Sequence, residues 1–177
     1  LKDTNENYVR SYFTASQHFH EQAEAVRFLK DRFQRFGKRS SYPARTLAWA
    51  YEQTGQEPRA LAALKEGLAL RPDDAELMLY TANALGLQGK FDEAEQLIQQ
   101  AEPKARRVDW LQAASALASY RGDTQTALAM WQEIAQAEPL NITTISNIAQ
   151  ALAETSGAAE TIAYLRARVA ELPLVPD

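Results

Sequence analysis

The chain has 177 residues, a formal net charge of −4, 46% hydrophobic and 24% charged side chains, which fits one folded domain and argues against a disordered tail or the basic footprint of a nucleic-acid binder. It has no cysteine, which excludes disulfides, thiolate nucleophiles and Cys-ligated zinc; this is compatible with an oxidising compartment, and the periplasm is favoured over the cytoplasm. Only seven Gly and seven Pro interrupt an alanine-rich sequence, so the expected class is all-α.

No apolar run approaches the roughly 18 residues that a membrane-spanning helix needs, so no membrane insertion is expected. The opening Leu1-Lys-Asp-Thr-Asn is neither a methionine start nor a signal sequence and reads as a piece of a longer protein.

In chain order, residues 1–40 are expected to form a divergent leading hairpin or capping helices. Glu21 to Phe36 carries Val26, Leu29, Phe33 and Phe36 on one helical face, with Gly37 as terminator. Upstream, Tyr8, Tyr12, Phe13, Ala15 and Phe19 suit a partner helix, with a longer helix or a break near His18 to His20 as the alternatives. On a helix, two residues two apart point about 200° away from each other, so His18 and His20 do not share a metal from one face, and no metal site or cofactor is expected.

The same region carries the basic run Lys30, Arg32, Arg35, Lys38 and Arg39, opposed nearby by Asp31. Residues 1–89 hold 12 basic and 11 acidic side chains, residues 90–177 hold 7 and 12. This basic patch could receive an acidic protein or an anionic polymer; its plain alternative is a solvated face.

From residue 41 onward the sequence repeats. Gly55, Gly89 and Gly122 are 34 and 33 residues apart, and Ser156 or Gly157 falls where the next is due. Small or short residues follow five positions later at Ala60, Ala94, Ala127 and Thr161, and large apolar ones four further on at Leu64, Ile98, Trp131 and Leu165. Pro72, Pro139 and Pro173 close repeats. Small residues at Ala48, Ala82, Ser115 and Ala149 let paired helices approach closely. Asp74 and Asn141 stand where capping side chains belong, and Ser41 precedes a first-turn proline.

This pattern resembles the tetratricopeptide repeat. The first repeat, 41–74, fits through Leu47, Ala48, Tyr51, Gly55, Ala60, Leu64, Gly67 and Pro72; the others span 75–107, 108–141 and a degenerate 142–174. The resemblance implies one continuous α-solenoid, a right-handed superhelix of helical hairpins, with a concave groove formed by each first helix. The positions it assigns to a partner-binding groove are Arg45, Trp49, Glu52, Gln53, Leu79, Tyr80, Asn83, Gln112, Tyr120, Asn147 and Gln150. Some family members clamp a partner's terminal carboxylate with basic residues and asparagines there. Arg45, Asn83 and Asn147 match that pattern, while Trp49 stands where the first asparagine is due. Trp49 reads either as an anchor for a partner or as a ring packed on the preceding helix. Trp110 and Trp131 read as core.

Catalytic motifs are missing: there is no phosphate-binding glycine loop, no Gly-x-Ser-x-Gly and no His-Glu-x-x-His. The carboxylate pairs Asp73-Asp74 and Asp92-Glu93 stand at helix starts, where they cap N–H groups and complement the helix dipole. The expectation is a non-catalytic scaffold that holds another protein, as an extended segment, helix or folded domain. The second reading is a module of a bacterial exopolysaccharide secretion system that binds a polysaccharide or its modifying enzyme; a third is a regulatory module beside a catalytic domain. The apolar stripe Ile162, Leu165 and Val169 implies that the array continues, or packs end to end on a partner or second copy through the C-terminal helix.

Overall fold

A computed structural model describes residues 6–171 as ten α-helices in chain order: α1 (Glu6–His18), α2 (Gln22–Phe36), α3 (Tyr42–Glu52), α4 (Glu57–Leu70), α5 (Ala75–Leu87), α6 (Phe91–Ala101), α7 (Arg107–Tyr120), α8 (Thr124–Ala137), α9 (Ile142–Thr155) and α10 (Ala158–Ala170). No strand occurs among the described residues. Each helix pairs with its neighbour in sequence, which makes five hairpins stacked into an α-solenoid. Pro173 and the end of the fourth repeat lie outside the described residues.

The turn glycines explain why each hairpin reverses where it does. Gly55, Gly89, Gly122 and Gly157 all adopt positive φ, from 66° to 89°, in open space; this left-handed conformation is cheap for glycine alone. At the fourth turn Gly157, not Ser156, takes that role. Helix starts follow the expected caps at two places: the Asp74 side chain accepts from Leu77 N–H at 3.0 Å, and Asn141 from Thr144 N–H at 3.1 Å. Asp123 caps α8 in the same manner. Ser41 makes no side-chain cap bond; Ser40 Oγ accepts from Tyr42 N–H instead.

Packing uses the small residues of the repeat. Ala48, Ala82 and Ser115 are almost wholly buried opposite Ala60, Ala94 and Ala127, and Leu64 fills the gap to the next hairpin. Gly67 is there for closeness: a Cβ on it would come within 2.7 Å of the Ala44 Cβ. Thr81 stands in a buried position that usually takes Leu, and satisfies its hydroxyl by donating to the Leu77 carbonyl at 2.7 Å.

The leading segment is a hairpin with a break at His18–Glu21, where His20 adopts φ 60°. Its α2 face differs from the expected one. Ala25, Leu29, Arg32 and Phe33 are buried, whereas Phe36 at the last turn is 42% exposed. Gly37 ends α2 in a right-handed conformation, not a left-handed cap; the constraint is crowding, since a Cβ would lie 2.6 Å from the Phe33 ring.

Candidate functional site

The first helices α3, α5 and α7 line a cavity of about 370 Å³ on the inner face of the stack. It gathers Arg45, Leu79, Tyr80, Asn83 and Gln112 from the expected groove, and adds Tyr42, Glu76, Arg106, Asp109 and Ala113. Helical phase explains the grouping: Glu76, Leu79, Tyr80 and Asn83 recur at three- and four-residue steps along α5, and Asp109, Gln112 and Ala113 do so along α7.

The cavity's charges are held, not loose. The Arg45 guanidinium lies between two rings, 5.3 Å from the centre of Tyr42 and 5.2 Å from that of Tyr80, and its Nη1 donates to Glu76 at 3.0 Å. Arg106 grips Asp109 with two hydrogen bonds of 2.7 Å. The groove thus offers two guanidinium–carboxylate pairs beside amides and rings. Each cation carries its own counter-ion, which suits polar, near-neutral ligand surface better than a strongly anionic one.

Tyr80 also couples the cavity to the hairpin before it. Its hydroxyl stands beside the Glu52 carboxylate and favours the charged form of that group. Burial pushes the Glu52 carboxyl above its ordinary range, with the Tyr80 hydroxyl and the nearby Arg10 charge opposing. Burial, reinforced by the Glu52 charge, raises the Tyr80 hydroxyl as well.

A second cavity, about 280 Å³, lies further along between α7 and α9 and brings together Tyr120, Asn147 and Gln150 with Thr124, Trp131 and Glu154. The Tyr120 hydroxyl leans back to donate to Asn83 Oδ1 at 2.9 Å, so one polar strip links the two cavities. Its ring covers Gly86, where a Cβ would approach the ring to 2.7 Å.

Three expected groove residues line neither cavity. Trp49 is half-buried: Phe13 of α1 meets it edge-on at 5.5 Å between ring centres, and the Arg10 guanidinium lies 5.2 Å over its ring. α1 thus supplies a covering for this ring that the repeat pattern does not foresee, in keeping with the packed reading of Trp49. Glu52 sits behind Tyr80, and Gln53 is at the helix end, exposed and outside both cavities. Thr46, one step from Arg45, is buried and donates to Glu6.

The basic run splits in the same way. Arg32 is not surface charge: it is buried and forms a two-pronged ion pair with Glu6 of α1. Lys30, Arg35, Lys38 and Arg39 remain exposed. Trp110 is packed, its indole N–H donating to the Ile98 carbonyl at 3.1 Å, whereas Trp131 is half-buried and lines the second cavity.

Among cavity residues that the repeat pattern did not mark, Tyr42 and Arg106 stand at the starts of their helices, outside the marked inner positions. The one available signal was their flanking of the first-helix faces: Tyr42 lies one turn before Thr46 and Arg106 one turn before Trp110. Among the described residues no cluster of three metal-ligating side chains occurs, and no helix is long and apolar enough to cross a membrane.

A family model described as tetratricopeptide repeat matches residues 53–120. Among solved structures, a tetratricopeptide repeat protein from Parabacteroides merdae superposes with a TM-score of 0.72 at 14% identity, covering 97% of this chain and 67% of that one. MamA from Desulfovibrio magneticus gives 0.65 at 13% identity over 93% of each chain. A chain of the APC/C hetero-tetramer Cut9–Hcn1 gives 0.69 at 14% identity, covering 94% of this chain and 33% of that one. At these identities the likeness is one of fold. No curated protein matches the sequence.

Proposed function

Because the chain belongs to the tetratricopeptide-repeat family, we propose that it is a non-catalytic scaffold whose inner face receives a segment of a partner protein. The observation that carries this reading is the cavity between α3, α5 and α7, where Asn83, Gln112 and the paired Arg45 and Arg106 offer hydrogen-bonding groups beside Leu79 and Tyr80. A peptide backbone laid across those amides exchanges hydrogen bonds with them, while Leu79 and the rings supply apolar contact. The Cut9–Hcn1 assembly offers a precedent of fold for a chain of this shape in a complex with other proteins.

The second reading, a polymer-binding module of an exopolysaccharide secretion system, draws on the same amides and on Asn147 and Gln150. The aromatic geometry favours the protein partner. A sugar ring stacks on an open aromatic face, and Trp49 and Tyr80 already carry Arg10 and Arg45 over theirs.

Photo-crosslinking tests the assignment. A benzophenone side chain placed at Gln112, inside the groove, should give a discrete protein adduct in cells of the source organism. The same group at Gln99, on the opposite side of the hairpin stack, should not. Adducts of equal yield from both positions, or from Gln99 alone, would overturn the groove assignment.

A further inference from the structure

Every internal junction of the stack has the same form: the second helix of one hairpin meets the first helix of the next, at α2–α3, α4–α5, α6–α7 and α8–α9. Among the described residues, α10 is a second helix with no first helix after it, and α1 is a first helix with no second helix before it. Each of the two carries an exposed apolar stripe.

On α10 the stripe is Ala158, Ile162, Leu165 and Val169, at steps of four, three and four. Leu165 holds the repeat position of Leu64 and Ile98. Those two are 0% and 5% exposed, because Leu64 clusters with Leu77 of α5 and Ile98 with Ala113 and Leu117 of α7. Leu165 is 37% exposed, and Ile162 and Val169 more so. On α1 two stripes run side by side. Val9, Phe13 and Ser16 are buried, whereas Tyr8, Tyr12, Ala15 and Phe19, again at steps of four, three and four, are exposed, Tyr8 at 74% and Phe19 at 73%. Phe28 of α2 meets Tyr12 edge-on at 5.5 Å between ring centres and widens this outer face. Contiguous apolar surface of this kind marks an interaction site.

We propose that a second copy of this chain stacks head to tail on the first, its α1–α2 hairpin against the α9–α10 hairpin. Tyr8, Tyr12 and Phe19 of one copy then cover Ile162, Leu165 and Val169 of the other, which completes one more junction of the internal kind. The stripes share one spacing, and bulky rings face smaller aliphatic side chains, as interdigitating helices require. Charge selects the orientation. Residues 6–40 hold seven basic and four acidic side chains, residues 124–171 two and five, so pairing head to head or tail to tail sets like charges together. A partner of another kind accounts for one stripe; a second copy covers both. The junction is heterologous and leaves one head and one tail free, so assembly proceeds beyond two copies and repeats the inner groove once per copy.

Sedimentation velocity on the 177-residue chain tests this. At about 1 µM, the range of an unfolding titration, single copies are expected, and at about 200 µM the weight-average mass should exceed that of a dimer. Tyr8→Glu/Phe19→Glu blocks the head and Ile162→Glu/Val169→Glu the tail; all four side chains are exposed, and circular dichroism verifies that helicity is kept. Each variant alone should remain monomeric at about 200 µM, because its intact end has no counterpart. Mixed in equal amounts, the two should approach the mass of a dimer and not pass it, since one intact head meets one intact tail. A parent chain that stays monomeric at about 200 µM would overturn the proposal. So would a mixture that stays monomeric, or a blocked variant that still self-associates, which would mean like-to-like pairing. None of the four substitutions touches the groove, so the crosslinking at Gln112 stands or falls separately.

Discussion

The first and last hairpins invert what their sequences advertise. The leading pair, α1 and α2, lacks the turn glycine and the repeat spacing, yet it is firmly docked: Phe13, Ala25, Leu29 and Phe33 are 3% exposed or less. Its Glu6 carboxylate takes hydrogen bonds from Arg32 on α2 and Thr46 on α3, which ties three helices together. The trailing pair, α9 and α10, has its turn glycine in register at Gly157, but α10 buries no residue, and Ile162, Leu165 and Val169 are 48%, 37% and 65% exposed. Repeat register places a hairpin in the stack. Burial depends on whether a neighbour exists to receive its apolar face, and in a solenoid each unit contacts only its neighbours.

Substitution of one apolar side chain at each end should break or sustain this contrast. Phe13→Ala removes a fully buried ring and should cost about 3–5 kcal/mol. The ring meets Trp49 edge-on, so the loss should appear in tryptophan fluorescence as a lower urea midpoint for the leading hairpin. Leu165→Ala on α10 should stay within about 0.5 kcal/mol. Equal losses at the two sites would show that the trailing stripe is covered in solution and that the contrast is wrong.

Somewhat smaller is the effect expected at the three-helix knot. Arg32→Met leaves the mostly buried Glu6 carboxylate facing an apolar side chain and should cost about 2–3 kcal/mol. Adding Glu6→Gln should return part of that loss, and the coupling in the double-mutant cycle measures the pair itself. If the two single losses simply add in urea titrations, the ion pair does not tie α1 to α2.

Much of this architecture was legible beforehand. The glycines at a 33- to 34-residue interval marked the turns, and the small residues at Ala48, Ala82 and Ser115 marked the close approaches, because both are local demands of the backbone. The inner cavity was partly legible because the repeat resemblance assigns the inner face to each first helix, and helical phase then groups Leu79, Tyr80 and Asn83 on it. What was hidden depends on long-range pairing. Trp49 is covered by Phe13 and Arg10, which belong to a hairpin without the repeat pattern. Arg32 looked like surface charge, although its place three residues after Leu29 and one before Phe33 put it on the buried side. Its partner Glu6, 26 residues away, carried no motif to announce it.

The seam between the leading hairpin and the repeats offers the finest test, through Glu52. This carboxylate is half-buried beside Tyr80 and near Arg10, and burial raises its pKa in the folded protein above the ordinary carboxylate value. A raised carboxyl pKa means that the folded state binds a proton more readily than the unfolded chain does. The charged form therefore costs stability at neutral pH, and the cost is relieved as pH falls through the folded-state value. Glu52→Gln keeps an acceptor beside the Tyr80 hydroxyl and removes the charge. Its melting temperature at pH 7 should equal or slightly exceed that of the parent, with a difference below about 1 kcal/mol because solvent screens the site. As pH falls from 7 through the folded-state value, the parent should gain on the variant. A variant clearly less stable at pH 7, with a gap that stays constant on acidification, would mean that the attraction of Arg10 outweighs burial. The seam would then be held by charge, as the Glu6–Arg32 knot is, and not merely tolerate it.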